Sequence, residues 1–215
     1  MALTVNEIFF SIQGESSYAG WPCIFVRLTG CNLRCSYCDT VYAYEEGNPM
    51  TLAEVIAEIK KFPCNLVEIT GGEPLLQEET PILIEALLKK GYKVLLETNG
   101  SLDISQVNSQ CVRIIDFKCP SSGMARFNHF GNIDSLSPHD EVKFVIGNRK
   151  DFNYAKAIIA LMREKPFFKN IIHFAPVFGK ISPALLARWI LRDNLAVHLQ
   201  LQLQKIIWRK KSRGK

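Results

Sequence analysis

With 215 residues, 47% hydrophobic and 22% charged, the chain has the length and balance of one globular domain with a substantial core. Its 26 basic against 21 acidic residues give a mild formal charge of +5, and part of that excess lies in the terminal "RKKSRGK" (209–215), so the body is closer to neutral and a nucleic-acid binder, with its basic face, is not expected. No apolar run approaches the ~18 residues that span a bilayer, and Asn6 and Glu7 interrupt the apolar N-terminus, so neither a membrane anchor nor an export leader is expected.

Strand-like and helix-like segments alternate along the chain. "CIFVRLT" (23–29) is a short apolar run rich in β-formers, ending at Gly30. "TLAEVIAEIKKF" opens with Thr51 and Glu54 in capping-box spacing and places Leu52, Val55, Ile56 and Ile59 on one helical face. "LVEIT" (66–70) is expected as a strand. A second helix is expected from Thr80-Pro81 to Gly91, with proline just inside its start and glycine just past its end. "KVLLET" (93–98), "VRIIDF" (112–117) and "EVKFVIG" (141–147) are further strands. Asp151 is expected to cap a helix that ends before Pro166, "NIIHFAPV" (170–177) follows as a strand, and Ser182-Pro183 opens a fourth helix. The alternating "AVHLQLQLQKII" (196–207) predicts a half-exposed final strand.

This order predicts an α/β fold, a parallel sheet with crossover helices, open or closed as a barrel. A single domain over 1–208 with a basic tail over 209–215 is expected, since no repeat or low-complexity linker divides the chain. Several strands end in small or polar residues: Thr29-Gly30, Thr70-Gly71-Gly72, Glu97-Thr98-Asn99-Gly100 and Asp116-Phe117-Lys118. In α/β barrels the C-terminal strand ends build the site. Turn formation accounts for the glycines, but not for Glu73, Glu97 or Lys118.

Seven cysteines, an odd number without an export leader, suit a reducing, cytoplasmic setting better than disulfides. Three of them, Cys31, Cys35 and Cys38 in "CNLRCSYC", stand in C-x3-C-x2-C spacing. Structural zinc takes four ligands, usually in pairs, and here Cys23, Cys64, Cys111 and Cys119 are isolated and the four histidines scattered. A thiolate triplet suits a [4Fe–4S] cluster whose fourth iron stays open.

That spacing, with Tyr37 before the last cysteine, resembles the signature of radical S-adenosylmethionine (SAM) enzymes. In that superfamily SAM chelates the open iron, and its one-electron cleavage yields a 5′-deoxyadenosyl radical. "GGEP" (71–74), after the next strand, resembles the segment that receives the methionine amino group. Glycines there allow close approach, and Glu73 can accept from an ammonium. Within the superfamily, "EIFFSIQGESSYAGWPCIFVRLTGCNLRCSYCDT" (7–40), "VEITGGEPLLQ", "LLETNGS", "DFKCPSSG" and "LQLQKIIW" resemble the 7-carboxy-7-deazaguanine synthase family, over nearly the whole chain.

The resemblance implies a shortened, partly open (β/α) barrel that converts 6-carboxy-5,6,7,8-tetrahydropterin to 7-carboxy-7-deazaguanine with loss of ammonia, in queuosine or other 7-deazapurine biosynthesis. It implies a [4Fe–4S] cluster on Cys31, Cys35 and Cys38, SAM, which is regenerated, and magnesium on Thr40. SAM contacts fall on Tyr37, Cys38, Asp39, Gly72 and Glu73, and on Lys118 and Ser121 within a residue or two. Ile12, Gln13, Gly14 and Glu15 would meet the pterin, Arg27 its carboxylate, and Thr70 the substrate; Glu97 matches an acidic residue near the reacting centre. Arg27, mid-strand in an apolar run, needs an anionic partner on physical grounds alone, whether substrate or structural. A flavodoxin- or ferredoxin-like electron donor and a homodimer are further implications. Two rivals remain at this point: an activase that installs a glycyl radical on a partner protein, and a zinc-stabilised binding module.

Overall fold

The computed structural model describes residues 2–208; the basic tail 209–215 lies outside them. Among the described residues nine strands form one sheet: β1 (Ala2–Ile12), β2 (Pro22–Leu28), β3 (Asn48–Thr51), β4 (Leu66–Gly71), β5 (Lys93–Thr98), β6 (Val112–Asp116), β7 (Glu141–Ile146), β8 (Ile171–Pro176) and β9 (His198–Leu199), in the order β3-β1-β2-β4-β5-β6-β7-β8-β9. From β2 through β9 neighbouring strands pair in parallel, whereas β1 runs antiparallel to both its neighbours. The sheet ends in the edges β3 and β9 and does not close, so the barrel is partly open.

The helices are α1 (Leu52–Ile59), α2 (Thr80–Lys89), α3 (Arg149–Arg163), α4 (Pro183–Arg192) and the short α5 (Leu203–Ile207). α1 starts where expected: Thr51 accepts from the Glu54 backbone N–H and Glu54 reaches back to Thr51, the reciprocal capping box. Ser182 caps α4 as expected. The α3 cap differs: it is Asn148, which accepts from the Asp151 N–H. Asp151 sits inside the first turn, fully buried, and accepts from Ser121 and from the Gly147 N–H. The expected strand over 196–207 also differs. Only His198 and Leu199 pair with β8, after which the chain leaves the sheet and lies across its C-terminal end. There the Leu203 N–H donates to the Gly14 carbonyl and the Gln202 and Gln204 amides donate to Glu15, bonds that a further strand would forgo.

The sheet has two unlike faces. The covered face carries Leu3, Val26, Val67, Ile69, Leu96, Phe144 and Phe174 under α1 to α4, with edge-on rings linking Phe144, Phe174, Phe152 and Trp189 at 5.8, 5.6 and 5.5 Å. The inner face carries a smaller apolar plug of Phe25, Leu66, Leu95, Val112 and Ile114, with Phe9 stacked on Phe25 at 4.9 Å. The polar strand residues Arg27, Glu68, Thr70, Glu97, Asp116 and Lys143 stand on this face. A bulge in β1 serves it. Register with β2 shifts between Val5 and Glu7, so the extra residue turns Glu7 off the covered face and opposite Arg27.

Candidate active site

One cavity of about 1110 Å³ opens at the C-terminal ends of the parallel strands. Its rim is the loop after β2, which brings Cys31, Cys35, Tyr37, Cys38, Asp39 and Thr40 to the wall; its floor is the inner face of the sheet, with Arg27, Glu68, Thr70, Glu97, Asp116 and Lys143. Ile12, Gln13, Gly14 and Glu15 close one side, and the segment through α5 crosses over them.

The cysteine loop is held by backbone hydrogen bonds, with the Asn32, Arg34 and Ser36 side chains adding to them. Glu73 N–H donates to the Gly30 carbonyl at 2.7 Å, Gly30 N–H to Ala43 at 2.8 Å, and Ser36 N–H to Ser122 at 3.0 Å. A Cβ on Gly72 would collide with the Gly30 carbonyl and the Cys31 side chain, so only glycine lets the "GGEP" turn pack against the loop. All three thiols are free and half-buried. Among the described residues no three metal-binding side chains are already drawn together at ligating distance, yet the surroundings suit a cluster of thiolates. The Leu33 N–H points at Cys31 Sγ at 3.4 Å and Asn99 Nδ2 at 3.8 Å. Burial pushes the Cys31 and Cys35 thiols up, and these donors at Cys31 and the Lys118 ammonium near Cys35 oppose it. Three buried polar atoms of the wall, Tyr37 Oη, Asp116 Oδ1 and Gln204 Oε1, make no hydrogen bond among the described residues, as expected of groups that meet a ligand. The residues present therefore fit a three-cysteine cluster beside a polar ligand.

The floor is a network of charges. Lys143 Nζ bridges Glu15 at 3.0 Å and Glu97. Burial alone would raise Glu15, but Lys143 and the Gln202 and Gln204 amides outweigh it and hold the carboxyl at about 2. Burial wins at Glu97, which is raised despite Lys143. Lys118 pairs with Asp116 at 2.8 Å; burial works against its charge, but Asp116 and the Cys35 thiol keep it above the ordinary lysine range. Arg27 Nε donates to Glu7 at 2.8 Å, so the mid-strand arginine has a structural partner while its side chain also lines the cavity. Beneath, buried His173 and the exposed Ser17 hold the Glu141 carboxylate; the His173 contact is 2.7 Å, and Ser17 binds through both N–H and O–H, so the loop carrying Gln13 to Glu15 is pinned to β7 and β8.

The structure brings most expected residues to this wall, with two differences. Ser121 lies behind the cysteine loop, its hydroxyl on Asp151 and its carbonyl accepting from Ser36 Oγ at 2.8 Å. The Glu73 carboxylate is fully buried and engaged by Thr98 Oγ1 and the Leu75 and Asn99 N–H groups, so it organises the turn and leaves the wall to the neighbouring glycines. Gln13 is on the wall, but its amide is engaged at both ends, donating to Glu68 and accepting from the Glu15 N–H at 3.0 Å. Asp39 pairs with Lys205 at 2.5 Å and accepts from Thr40 Oγ1 at 3.2 Å. The sequence reading missed Glu68, Lys143, Gln202, Gln204 and Lys205. The first two carried the same signal as Arg27, a charge in mid-strand between apolar residues; the last three lie in the family-like "LQLQKIIW", which marks the segment but not its partners.

Comparison with known proteins agrees with this geometry. The Radical SAM superfamily matches residues 25–184. A 7-carboxy-7-deazaguanine synthase of Koribacter versatilis is 44% identical over 99% of this chain and 100% of the relative. One from Chlorobaculum tepidum is 47% identical over 99% of this chain and 97% of the relative. The crystal structure of QueE from Escherichia coli superposes with a TM-score of 0.75 over 94% of each chain at 23% identity, a likeness of fold.

Proposed function

The chain belongs to the Radical SAM superfamily and, within it, to the 7-carboxy-7-deazaguanine synthase family, and from that membership we propose that its cavity converts 6-carboxy-5,6,7,8-tetrahydropterin to 7-carboxy-7-deazaguanine. Ammonia is the other product. The two products together hold every atom of the substrate, so the change is a ring contraction with elimination and no net oxidation. The observation that carries this reading is the meeting of a three-thiol rim and a charged floor in one cavity.

Cys31, Cys35 and Cys38 would hold the [4Fe–4S] cluster, and the Tyr37 ring and the backbone at Gly72 would flank SAM. Together the cluster and SAM supply hydrogen abstraction; the protein supplies orientation and charge. Arg27, its Nε committed to Glu7, keeps further N–H donors for the substrate carboxylate. Ile12 to Glu15 and Thr70 border the ring. Glu97, raised by burial and paired as a carboxylate with Lys143, is placed to take up a proton from the reacting ring and pass it to the leaving amine. Thr40 Oγ1 would serve as a magnesium ligand, with substrate and water filling the shell. A flavodoxin- or ferredoxin-like donor, a homodimer and a reducing cytoplasm complete the reading; seven free cysteines suit that compartment. Among the described residues no helix is long and apolar enough to cross a membrane.

The test is anaerobic reconstitution with iron and sulfide, then incubation with SAM, the pterin and dithionite, with and without magnesium. The expected outcome is a brown protein that forms the deazaguanine and ammonia, faster with magnesium. Cys35→Ala should lose both iron and product while keeping its circular dichroism spectrum. A reconstituted protein that cleaves SAM but forms deazaguanine under neither condition, and acts only on a glycyl-radical partner, would sink the proposal.

A further inference from the structure

Glu68 stands at the middle of β4 on the inner face, 3% exposed and part of the cavity wall. Glu15, Glu97 and Lys143 face it from neighbouring elements, and the Cys23 thiol lies beside it on β2. The floor thus holds three carboxyl groups around one ammonium. Lys143 Nζ is bonded to Glu15 and Glu97, and the Arg27 Nε is bonded to Glu7. No ion pair joins Glu68 to a cation among the described residues. A third ionised carboxylate in this buried floor would lack compensation, which is costly. Burial, with Glu97 and Glu15 adding to it, raises the Glu68 carboxyl well above the ordinary range.

The position of its proton follows from the hydrogen bonds. The Glu15 N–H donates to Gln13 Oε1, which fixes the orientation of the Gln13 amide. Gln13 Nε2 therefore faces Glu68 and donates to Oε2. With Oε2 already accepting, the acid proton belongs on Oε1, which makes no hydrogen bond among the described residues. A carboxylic O–H held in this way can donate to a ligand where a carboxylate can only accept.

We propose that Glu68 is a specificity-determining residue, whose Oε1–H donates a hydrogen bond to an acceptor on the pyrimidine ring of the bound pterin. This rests on the pterin reading above. It assigns ring recognition to a side chain on β4, with Gln13 acting as the clamp that orients it. A site built around a buried donor rejects rings that lack the acceptor, because the donor would then be left unpaired.

The experiment compares wild type, Glu68→Gln and Glu68→Leu by pterin Kd (equilibrium dialysis, anaerobic, SAM present), KM and kcat across pH, with iron content and thermal midpoint as checks of folding. Glutamine keeps an acceptor for Gln13 and an N–H donor for the ring. The expected result is a Glu68→Gln Kd within about threefold of wild type at neutral pH, and a loss of roughly 30-fold for Glu68→Leu, felt more in KM than in kcat. Wild-type affinity should weaken as rising pH removes the Glu68 proton, and Glu68→Gln should lack that limb. Glu68→Gln binding as poorly as Glu68→Leu would show that an ionised carboxylate accepts from the ring, and would overturn the proposal. Wild-type affinity in Glu68→Leu would overturn it by showing no contact. If Glu68→Leu fails to fold, the Glu68→Gln affinity and pH profile decide alone. A wild-type protein that neither binds nor converts the pterin refutes the pterin reading itself, and this assignment with it.

Discussion

The covered and inner faces of the sheet are made from the same strands but obey different rules. On β4, Val67 and Ile69 point under the helices while Glu68 and Thr70 point to the cavity; on β7, Val142 and Phe144 alternate with Glu141 and Lys143. The covered face is held by area, with apolar side chains packed on α1 to α4 and little directionality required. The inner face is held by pairing, since its buried charges survive only because each has a hydrogen-bonded partner or a proton. A substitution on the first should cost stability and spare recognition. On the second it should cost both, because the groups that satisfy the floor also shape the site.

The largest break in that contrast is expected at Lys143. Lys143→Met keeps most of the volume but leaves Glu15 and Glu97 without their cation. A loss of about 3–5 kcal/mol is expected from denaturant unfolding, with turnover falling in the molecules that remain folded. Undiminished turnover would mean that the floor's charge balance is irrelevant to the site. Acid provides a second, smaller break. Glu15 is held at about 2 against an ordinary 4.5, a carboxyl depressed by folding. Its contribution is therefore complete above pH 4.5 and lost as pH falls toward 2, about 3 kcal/mol in all. A chemical-denaturation series across that window should show the loss in wild type and little of it in Glu15→Gln. The smallest effect belongs to the covered face. Ile69→Val should cost about 1 kcal/mol and leave the pterin KM unchanged; a shifted KM would show that the faces are mechanically coupled.

Part of this contrast was legible in the chain itself. The charges within "LVEIT" and "EVKFVIG" alternate with apolar residues and so face away from them, which left mid-strand Glu68 and Lys143 as open to reading as Arg27. Arg113 shows why such reading is incomplete: it too is mid-strand and buried, yet it pairs with Asp140 and carbonyl groups outside the cavity. Periodicity states that a charge is turned away from its apolar neighbours and says nothing about its partner.

The sequence by itself determined the local matters: strand and helix order, the caps at Thr51 and Ser182, and the three-cysteine loop with its "GGEP" companion, because these depend on residues within a few positions of each other. Only the tertiary structure decided which long-range partners meet. It moved the α3 cap to Asn148, took Ser121 and the Glu73 carboxylate off the wall, and turned the expected last strand into a segment whose amides reach Glu15, 187 and 189 residues away in sequence. A buried carboxylate needs donors whatever their distance along the chain. That requirement outweighs the local alternation of 196–207, and no local pattern encodes it.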